Sequence, residues 1–263
     1  MTETERDDLV VIDRKDGYAV MRINRPEKRN AMNRAMRKAM LAAMESLRGE
    51  AKAIVLIGTN QSFCAGVDLK EAHADQEAGV GEDPHSDWNE VNLAIRRHPA
   101  IFIAAVNGIA LGGGSTLINV CDLAIAAEEA EIGMPEMGFA TYPGLAGPAM
   151  QLALPRKRAA WMILTAQRID GRRALEWGVV NDCAPRERLL ETAEALAAHV
   201  AQFDATALTE SKRALDQVPH VISDWRQAFD FGARVNALIR SKSAAQTEGF
   251  ARFSKGERNP GQG

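Results

Sequence analysis

Two short, uninterrupted apolar runs, Ala53–Gly58 and Ile101–Val106, each lead into a glycine-bearing loop and then a helical pattern. Short continuous apolar runs bounded by turn residues read as buried strands, and the rhythm strand, loop, helix points to stacked ββα units with parallel sheet. A β-sandwich or a helical bundle would show a different period. Leu123–Ala127 and Glu131–Gly133 read as further strands. Upstream, Leu9–Asp13 and Tyr18–Ile23 flank Lys15-Asp16-Gly17 and predict a hairpin with glycine in its turn. Asn33 then reads as an N-cap, and Met36, Met40, Met44 and Leu47 recur at helical spacing to form an apolar stripe ending near Gly49.

The stretch Lys70–Asp87 is rich in Ala, Asp, Glu, Gly and His and reads as a surface loop or lid. From Arg186 onward strands vanish, and Glu187–Gln202, Ala205–Gln217, Ser223–Ile239 and Ala244–Phe253 read as helices. The expected organisation is therefore an α/β core of ββα units over residues 1–199 and a C-terminal helical region over 200–263. The tail from Gly256 is Gly/Pro/polar.

Composition narrows the function classes. With 263 residues, 46% apolar and 25% charged, the chain has the make-up of a globular protein. A net charge of −3 gives no general attraction for nucleic acid or an anionic membrane, so neither is an expected partner. Cys64, Cys121 and Cys183 are odd in number and lack CxxC spacing, which fits reduced thiols and no structural zinc. His73, His85, His98, His199 and His220 show no metal-ligand spacing. Met1 to Asp8 has no apolar core and does not read as a signal or transit peptide, so the cytoplasm is the expected location.

The chemistry is concentrated in three segments. Val106-Asn107-Gly108-Ile109-Ala110-Leu111-Gly112-Gly113-Gly114-Ser115-Thr116 runs from a strand through three glycines into a helix. Such a turn lets backbone N–H groups approach a ligand oxygen and adds the positive end of a helix, so it can stabilise an oxyanion. It is not a P-loop, because no Gly-Lys-Ser/Thr follows. Ser62-Phe63-Cys64-Ala65-Gly66-Val67-Asp68-Leu69-Lys70 also follows a strand and offers the N–H of Val67. The third segment, Gly133-Met134-Pro135-Glu136-Met137-Gly138, brackets Glu136 with apolar residues, an environment that raises a carboxyl pKa toward the range useful for acid–base work. Cys64, with no basic neighbour in sequence, reads as a small buried filler.

These segments, with Asn24-Arg25-Pro26-Glu27-Lys28-Arg29-Asn30-Ala31 and Cys121-Asp122-Leu123, resemble the crotonase (enoyl-CoA hydratase/isomerase) superfamily over roughly residues 10–185. The resemblance implies a spiral of ββα units with a helical C-terminus. It also implies an oxyanion hole for an acyl-CoA thioester made by the N–H groups of Val67 and Gly113. Lys28, Arg29, Ala31, Ala65, Asp68 and Leu69 fall where relatives hold coenzyme A, and Gly112, Lys70 and Lys255 are further candidates for contact with substrate or its phosphates. Coenzyme A is then part of the substrate, and no separate cofactor or metal is implied. A homotrimer or dimer of trimers is implied as well, with helices around Trp225–Phe253 crossing between subunits.

One departure stands out. Two-glutamate hydratases carry a carboxylate two residues after the glycine triplet, where this chain has Thr116. A threonine hydroxyl can hold water or substrate but cannot act as a general base near neutral pH, leaving Glu136 alone. A single glutamate suits a double-bond isomerase, and also single-glutamate hydratases and hydratase-lyases. Hydroxycinnamoyl-CoA hydratase-lyases share a hydroxyl residue at this position, and Tyr142 could contact an aromatic acyl group or merely pack on its turn. The tyrosine those lyases carry in their C-terminal helices has no obvious match, with Phe229 and Phe231 in that region. A silent acyl-CoA-binding or RNA-binding relative on the same scaffold is the reading from another class.

Overall fold

The computed structural model describes residues 8–78, 87–221, 225–245, 248, 251–252 and 255. Strands β1 (Val10–Arg14) and β2 (Tyr18–Ile23) form the expected hairpin, antiparallel, with Gly17 at a φ of 75° in the turn. Strands β3 (Ala53–Gly58), β4 (Ser62–Cys64), β5 (Ile101–Val106), β6 (Ile109–Leu111), β7 (Leu123–Ala127), β8 (Glu131–Gly133) and β9 (Asp182–Ala184) follow. They sort into a large sheet of order β1-β2-β3-β5-β7-β9 and a small one of order β4-β6-β8, and every pairing beyond the hairpin is parallel. The chain thus lays one strand in the large sheet, one in the small sheet, and repeats. β3 and β5 are buried at every residue, which is why neither alternates in sequence.

The helices are α1 (Arg34–Ser46), α2 (Leu69–Glu77), α3 (Asp87–Arg97), α4 (Gly113–Val120), α5 (Ala146–Ala153), α6 (Arg156–Thr165), α7 (Gly171–Trp177), α8 (Arg186–Ala201), α9 (Ala205–Val221) and α10 (Trp225–Lys242). Asn33 caps α1 by accepting from the N–H of Met36 at 2.8 Å, and Met36, Met40, Met44 and Leu47 are all buried, as their spacing predicts. Helix α8 packs across the large sheet, whereas α9 and α10 pair with each other. Lys212 ties α9 to the core: its buried ammonium meets Asp122 at 2.8 Å and the carbonyls of Ile95 and Ala100 at 2.9 Å. Among the described residues no helix is long and apolar enough to cross a membrane.

The loop expected over Lys70–Asp87 is corrected in its first half, which is helix α2. Few apolar residues hide this helix because ion pairs hold it: Glu71 accepts from the backbone N–H of Arg34 at 3.0 Å and meets Arg37, and Asp75 meets Arg34 at 2.6 Å. Residues 79–86 of that stretch lie outside the described residues, as does half of the helix expected over Ala244–Phe253.

Two buried asparagines stitch the places where the chain leaves the large sheet. Asn107 donates to the carbonyls of Gly58 and Asn60 at 2.8 and 2.7 Å, and Asn30 donates to those of Ser62 and Thr59 at 2.6 and 3.1 Å. Backbone groups that no strand can pair are satisfied there, so the loops that follow start from fixed points.

Candidate active site

The turn from β6 to α4 is crowded on three sides, and each glycine answers one neighbour. A Cβ on Gly114 would sit 2.0 Å from the carbonyl oxygen of Cys64 in β4, one on Gly113 would sit 2.4 Å from the ring of Trp88, and one on Gly112 would sit 2.6 Å from Oε1 of Glu136. Gly112 also has a φ of 52° and donates its N–H to the carbonyl of Gly133 at 2.9 Å. Gly113 is the first residue of α4, so its N–H has no partner within the helix, and no hydrogen bond among the described residues uses it.

The loop after β4 lies against this turn. Gly66 adopts a φ of 92°, and a Cβ there would be 2.7 Å from the carbonyl oxygen of Leu111 and 3.3 Å from the amide nitrogen of Gly113. Met32 and Val67 form a parallel bridge in which the N–H of Met32 donates to Gly66 at 2.8 Å and that of Asp68 donates to Met32 at 3.1 Å. In that pattern the N–H of Val67 faces away from Met32. Like that of Gly113, it is used by no hydrogen bond among the described residues.

Glu136 enters from the 3-10 turn Pro135–Phe139. Its Oε1 lies against Gly112, and its Oε2 is buried with no partner among the described residues. Burial raises its pKa above the ordinary carboxylate value, opposed by a hydrogen bond from its own backbone. Two free backbone donors and a partly desolvated carboxyl therefore meet around the turn Gly112–Gly113.

Thr116 sits one turn into α4, 2% exposed, with its hydroxyl turned to the carbonyl of Gly112 at 3.4 Å. Ala31 is buried and Ala65 half-buried, while Lys28, Arg29, Leu69 and Lys70 are exposed. The carbonyl of Arg29 accepts from the N–H of Ala65 at 3.0 Å, which lays the Lys28–Ala31 segment beside the loop after β4. The carboxylate of Asp68 is engaged inside the protein. It meets Arg25 at 2.7 Å and accepts from the N–H of Lys70 at 3.0 Å at the start of α2. Burial alone would raise its pKa, but the hydrogen bonds from Arg25 and the backbone outweigh that and lower it. Tyr142 packs on α5: its ring lies over Gly147 and its hydroxyl accepts from Gln151 at 2.7 Å, leaving it 50% exposed. Lys255 is exposed, and its N–H donates to the carbonyl of Arg252 at 3.0 Å.

Sequence reasoning did not assign Trp88, whose ring covers Gly113. A signal was present, since Trp88, Val91 and Ile95 mark one buried stripe of α3 at helical spacing. Arg25, which braces Asp68, was likewise hidden in a motif read for its neighbours. Burial pushes the Cys64 thiol up to about 12, so it is a packing residue and not a nucleophile. No group of three or more His, Cys, Asp or Glu residues suited to a metal occurs among the described residues.

The sequence model of the enoyl-CoA hydratase/isomerase family matches residues 13–258. The chain is 32% identical over 249 residues to a hydroxycinnamoyl-CoA hydratase-lyase of Pseudomonas fluorescens, covering 91% of this chain and 88% of that enzyme. It is also 32% identical over 216 residues to a 2,3-dehydroadipyl-CoA hydratase of Escherichia coli, covering 81% and 83%. Among solved structures, an enoyl-CoA hydratase of Bacillus anthracis superposes with a TM-score of 0.86 at 26% identity, covering 94% of this chain and 96% of that one. With a family match over almost its whole length, these relatives and this spiral of ββα units, the chain is a crotonase-superfamily enzyme and belongs to the enoyl-CoA hydratase/isomerase family.

Proposed function

We propose that this enzyme binds an unsaturated acyl-CoA, polarises its thioester carbonyl between the N–H groups of Val67 and Gly113, and moves protons with Glu136 alone. The abutment of the loop after β4 and the turn before α4, each with a free amide, carries the reading. Two prearranged donors on a carbonyl oxygen stabilise the enolate by several kcal/mol, at about 3–4 kcal/mol per donor in a comparable oxyanion hole. The α-carbon then becomes acidic enough for a carboxylate to deprotonate. Glu136, with its pKa raised by burial, is a stronger base than a solvated carboxylate and can return the proton to the same or a neighbouring carbon. In hydration, Glu136 takes a proton from water, the water oxygen bonds to C3, the π electrons move onto the thioester oxygen, and the proton is delivered to C2.

The exposed cations Lys28, Arg29 and Lys70 are in this reading the groups that meet the phosphates of coenzyme A at the mouth of the site, with Ala31, Ala65 and Leu69 beside the pantetheine. Lys255 is a further candidate for a phosphate. Glu136→Gln is expected to abolish turnover while acyl-CoA still binds, measured by product formation and by calorimetric titration. Exchange of solvent deuterium into the α-carbon separates this enzyme from a silent acyl-CoA binder, which shows none.

A second reading is favoured by the likeness to the hydroxycinnamoyl-CoA hydratase-lyase. There the hydrated intermediate would lose its C2–C3 bond, releasing an aromatic aldehyde and the enolate of acetyl-CoA, which the same two amides would hold. A panel of 2-enoyl-, 3-enoyl- and hydroxycinnamoyl-CoA esters, with products identified by mass spectrometry, decides between addition of water, migration of the double bond and cleavage. We also propose self-association as a trimer or dimer of trimers. Exposed Met137, Phe139, Leu152 and Leu164 and, on α10, Phe229 and Leu238 give apolar surface for it, and a monomer by light scattering would refute it.

A further inference from the structure

Trp88 has no part in the scheme above, yet its ring is what a side chain at Gly113 would meet first, 2.4 Å from the position of a Cβ there. The residue is 4% exposed, and its Nε1 is buried with no acceptor among the described residues. A donor left unpaired in a protein interior costs free energy and calls for an explanation in ligand or function. Nε1 lies 3.0 Å from the position a Cβ on Gly113 would take. Since a Cβ is about 2.5 Å from its own amide nitrogen, the indole nitrogen is within roughly 5.5 Å of the Gly113 nitrogen. A hydrogen bond spans about 2.9 Å, so a group held by the indole is a near neighbour of an oxygen held by Gly113.

We propose that Trp88 donates its indole N–H to the second oxygen of the reaction, the water or hydroxyl oxygen at C3 of the acyl chain. The proposal rests on the oxyanion-hole reading above. Val67 and Gly113 already supply the two donors assigned to the thioester oxygen, which leaves the indole donor for a different oxygen. Indole offers a proton and no acceptor, so its complement is a lone pair. Glu136 brings the opposite need, with Oε2 also buried and unpartnered on the neighbouring side of the same glycine turn. A water or a 3-hydroxyl satisfies both at once, accepting from Trp88 and donating to Glu136. Thr116, at the position where two-glutamate relatives carry a second carboxylate, turns its hydroxyl to Gly112 instead, so Trp88 takes over the holding of that oxygen. Trp88 neither gains nor loses a proton: Glu136 accepts the water proton, the O–C3 bond forms, and the proton goes on to C2.

The test compares two reactions of the same enzyme. Hydration of a 2-enoyl-CoA needs the C3 oxygen, whereas exchange of the α-protons of butyryl-CoA with solvent uses the amide pair and Glu136 but has no C3 oxygen. Trp88→Phe is expected to lower kcat/KM for hydration by about 10–100-fold, the worth of one hydrogen bond to the reacting oxygen, with α-proton exchange unchanged. Benzothienylalanine placed at position 88 keeps the indole shape and replaces N–H by sulfur, so it gives the same split without opening a void and serves if the phenylalanine variant does not fold. Equal loss of both reactions would make Trp88 a packing residue or a donor to the thioester oxygen, and unchanged hydration would remove it from the reaction; either result overturns the proposal. Exchange that proceeds at the wild-type rate in Glu136→Gln would remove the enolate reading, and this one with it, whereas the split between reactions tests Trp88 alone.

Discussion

The loop after β4 and the turn before α4 each leave one amide free, but they are held in different ways. The turn is fixed by backbone packed on backbone, with Gly114 against the carbonyl of Cys64 and Gly112 bonded to Gly133. The loop is held from outside, by the bridge to Met32 and by the pairing of Asp68 with Arg25, and Val67 is 37% exposed. One half of the site is therefore part of the core. The other half is a surface segment whose direction is set by a charged brace.

That contrast predicts a sharp difference in tolerance. Gly114→Ala places a methyl 2.0 Å from a backbone oxygen that cannot move without dragging β4, and the expected cost of about 4 kcal/mol should appear as loss of soluble protein or a large fall in Tm. Gly112→Ala is milder for the fold. Its φ of 52° with ψ of −113° lies outside the left-handed helical well and costs an alanine about 1–3 kcal/mol, and the new methyl meets the flexible end of Glu136 at 2.6 Å. The carboxylate must swing away, so kcat should fall by about 100-fold with binding of acyl-CoA retained, as steady-state kinetics and titration would show. Should Gly114→Ala fold normally, the turn is not set by the core and the contrast fails.

Much of this arrangement is legible in the sequence because it depends on residues that must be small or apolar. The buried strands β3 and β5, the methionine stripe of α1 and the glycine triplet announce themselves by composition at short range. What stays hidden depends on partners distant in the chain. Helix α2 is polar along its length and is held by Arg34 and Arg37 of α1, more than thirty residues earlier. The same holds for the carboxylate of Asp68, which pairs with Arg25, and for Tyr142, whose hydroxyl meets Gln151 of α5. Of the three-residue strands of the small sheet, Glu131–Gly133 is legible from sequence, whereas Ser62–Cys64 and Ile109–Leu111 are too short to carry a period of their own and merge with the loops that follow the preceding strands.

The pH dependence sharpens the role of the carboxylate that lies against the turn. Burial holds the Glu136 pKa above its ordinary value, so at a given mildly acidic pH more of it is protonated than of a solvated glutamate. In the proposed role of base it must be ionised, and the acid limb of kcat/KM is then expected above pH 4.5, the ordinary value for this group. The same shift means that the folded state holds this proton more tightly than the unfolded one. Its ionisation opposes folding as pH rises through the raised pKa. Glu136→Gln should accordingly raise Tm slightly at neutral pH, and the gain should disappear below pH 4.5, where both states are protonated.

The brace of the loop gives the smaller effects. Asp68→Asn keeps a residue able to cap α2 but removes the charge facing Arg25, leaving a largely buried guanidinium with a weaker partner. A loss of about 1–3 kcal/mol in stability, read by urea unfolding, should accompany a fall of roughly tenfold in kcat/KM as the amide of Val67 loses its fixed direction. Val67→Ala leaves that amide where it is, because the bridge to Met32 is made by backbone atoms alone. Kinetics within about twofold of the wild type are expected. A large loss in Val67→Ala, with Asp68→Asn unaffected, would show that the side chain and not the charged brace positions this donor, and would reverse the contrast between the two halves of the site.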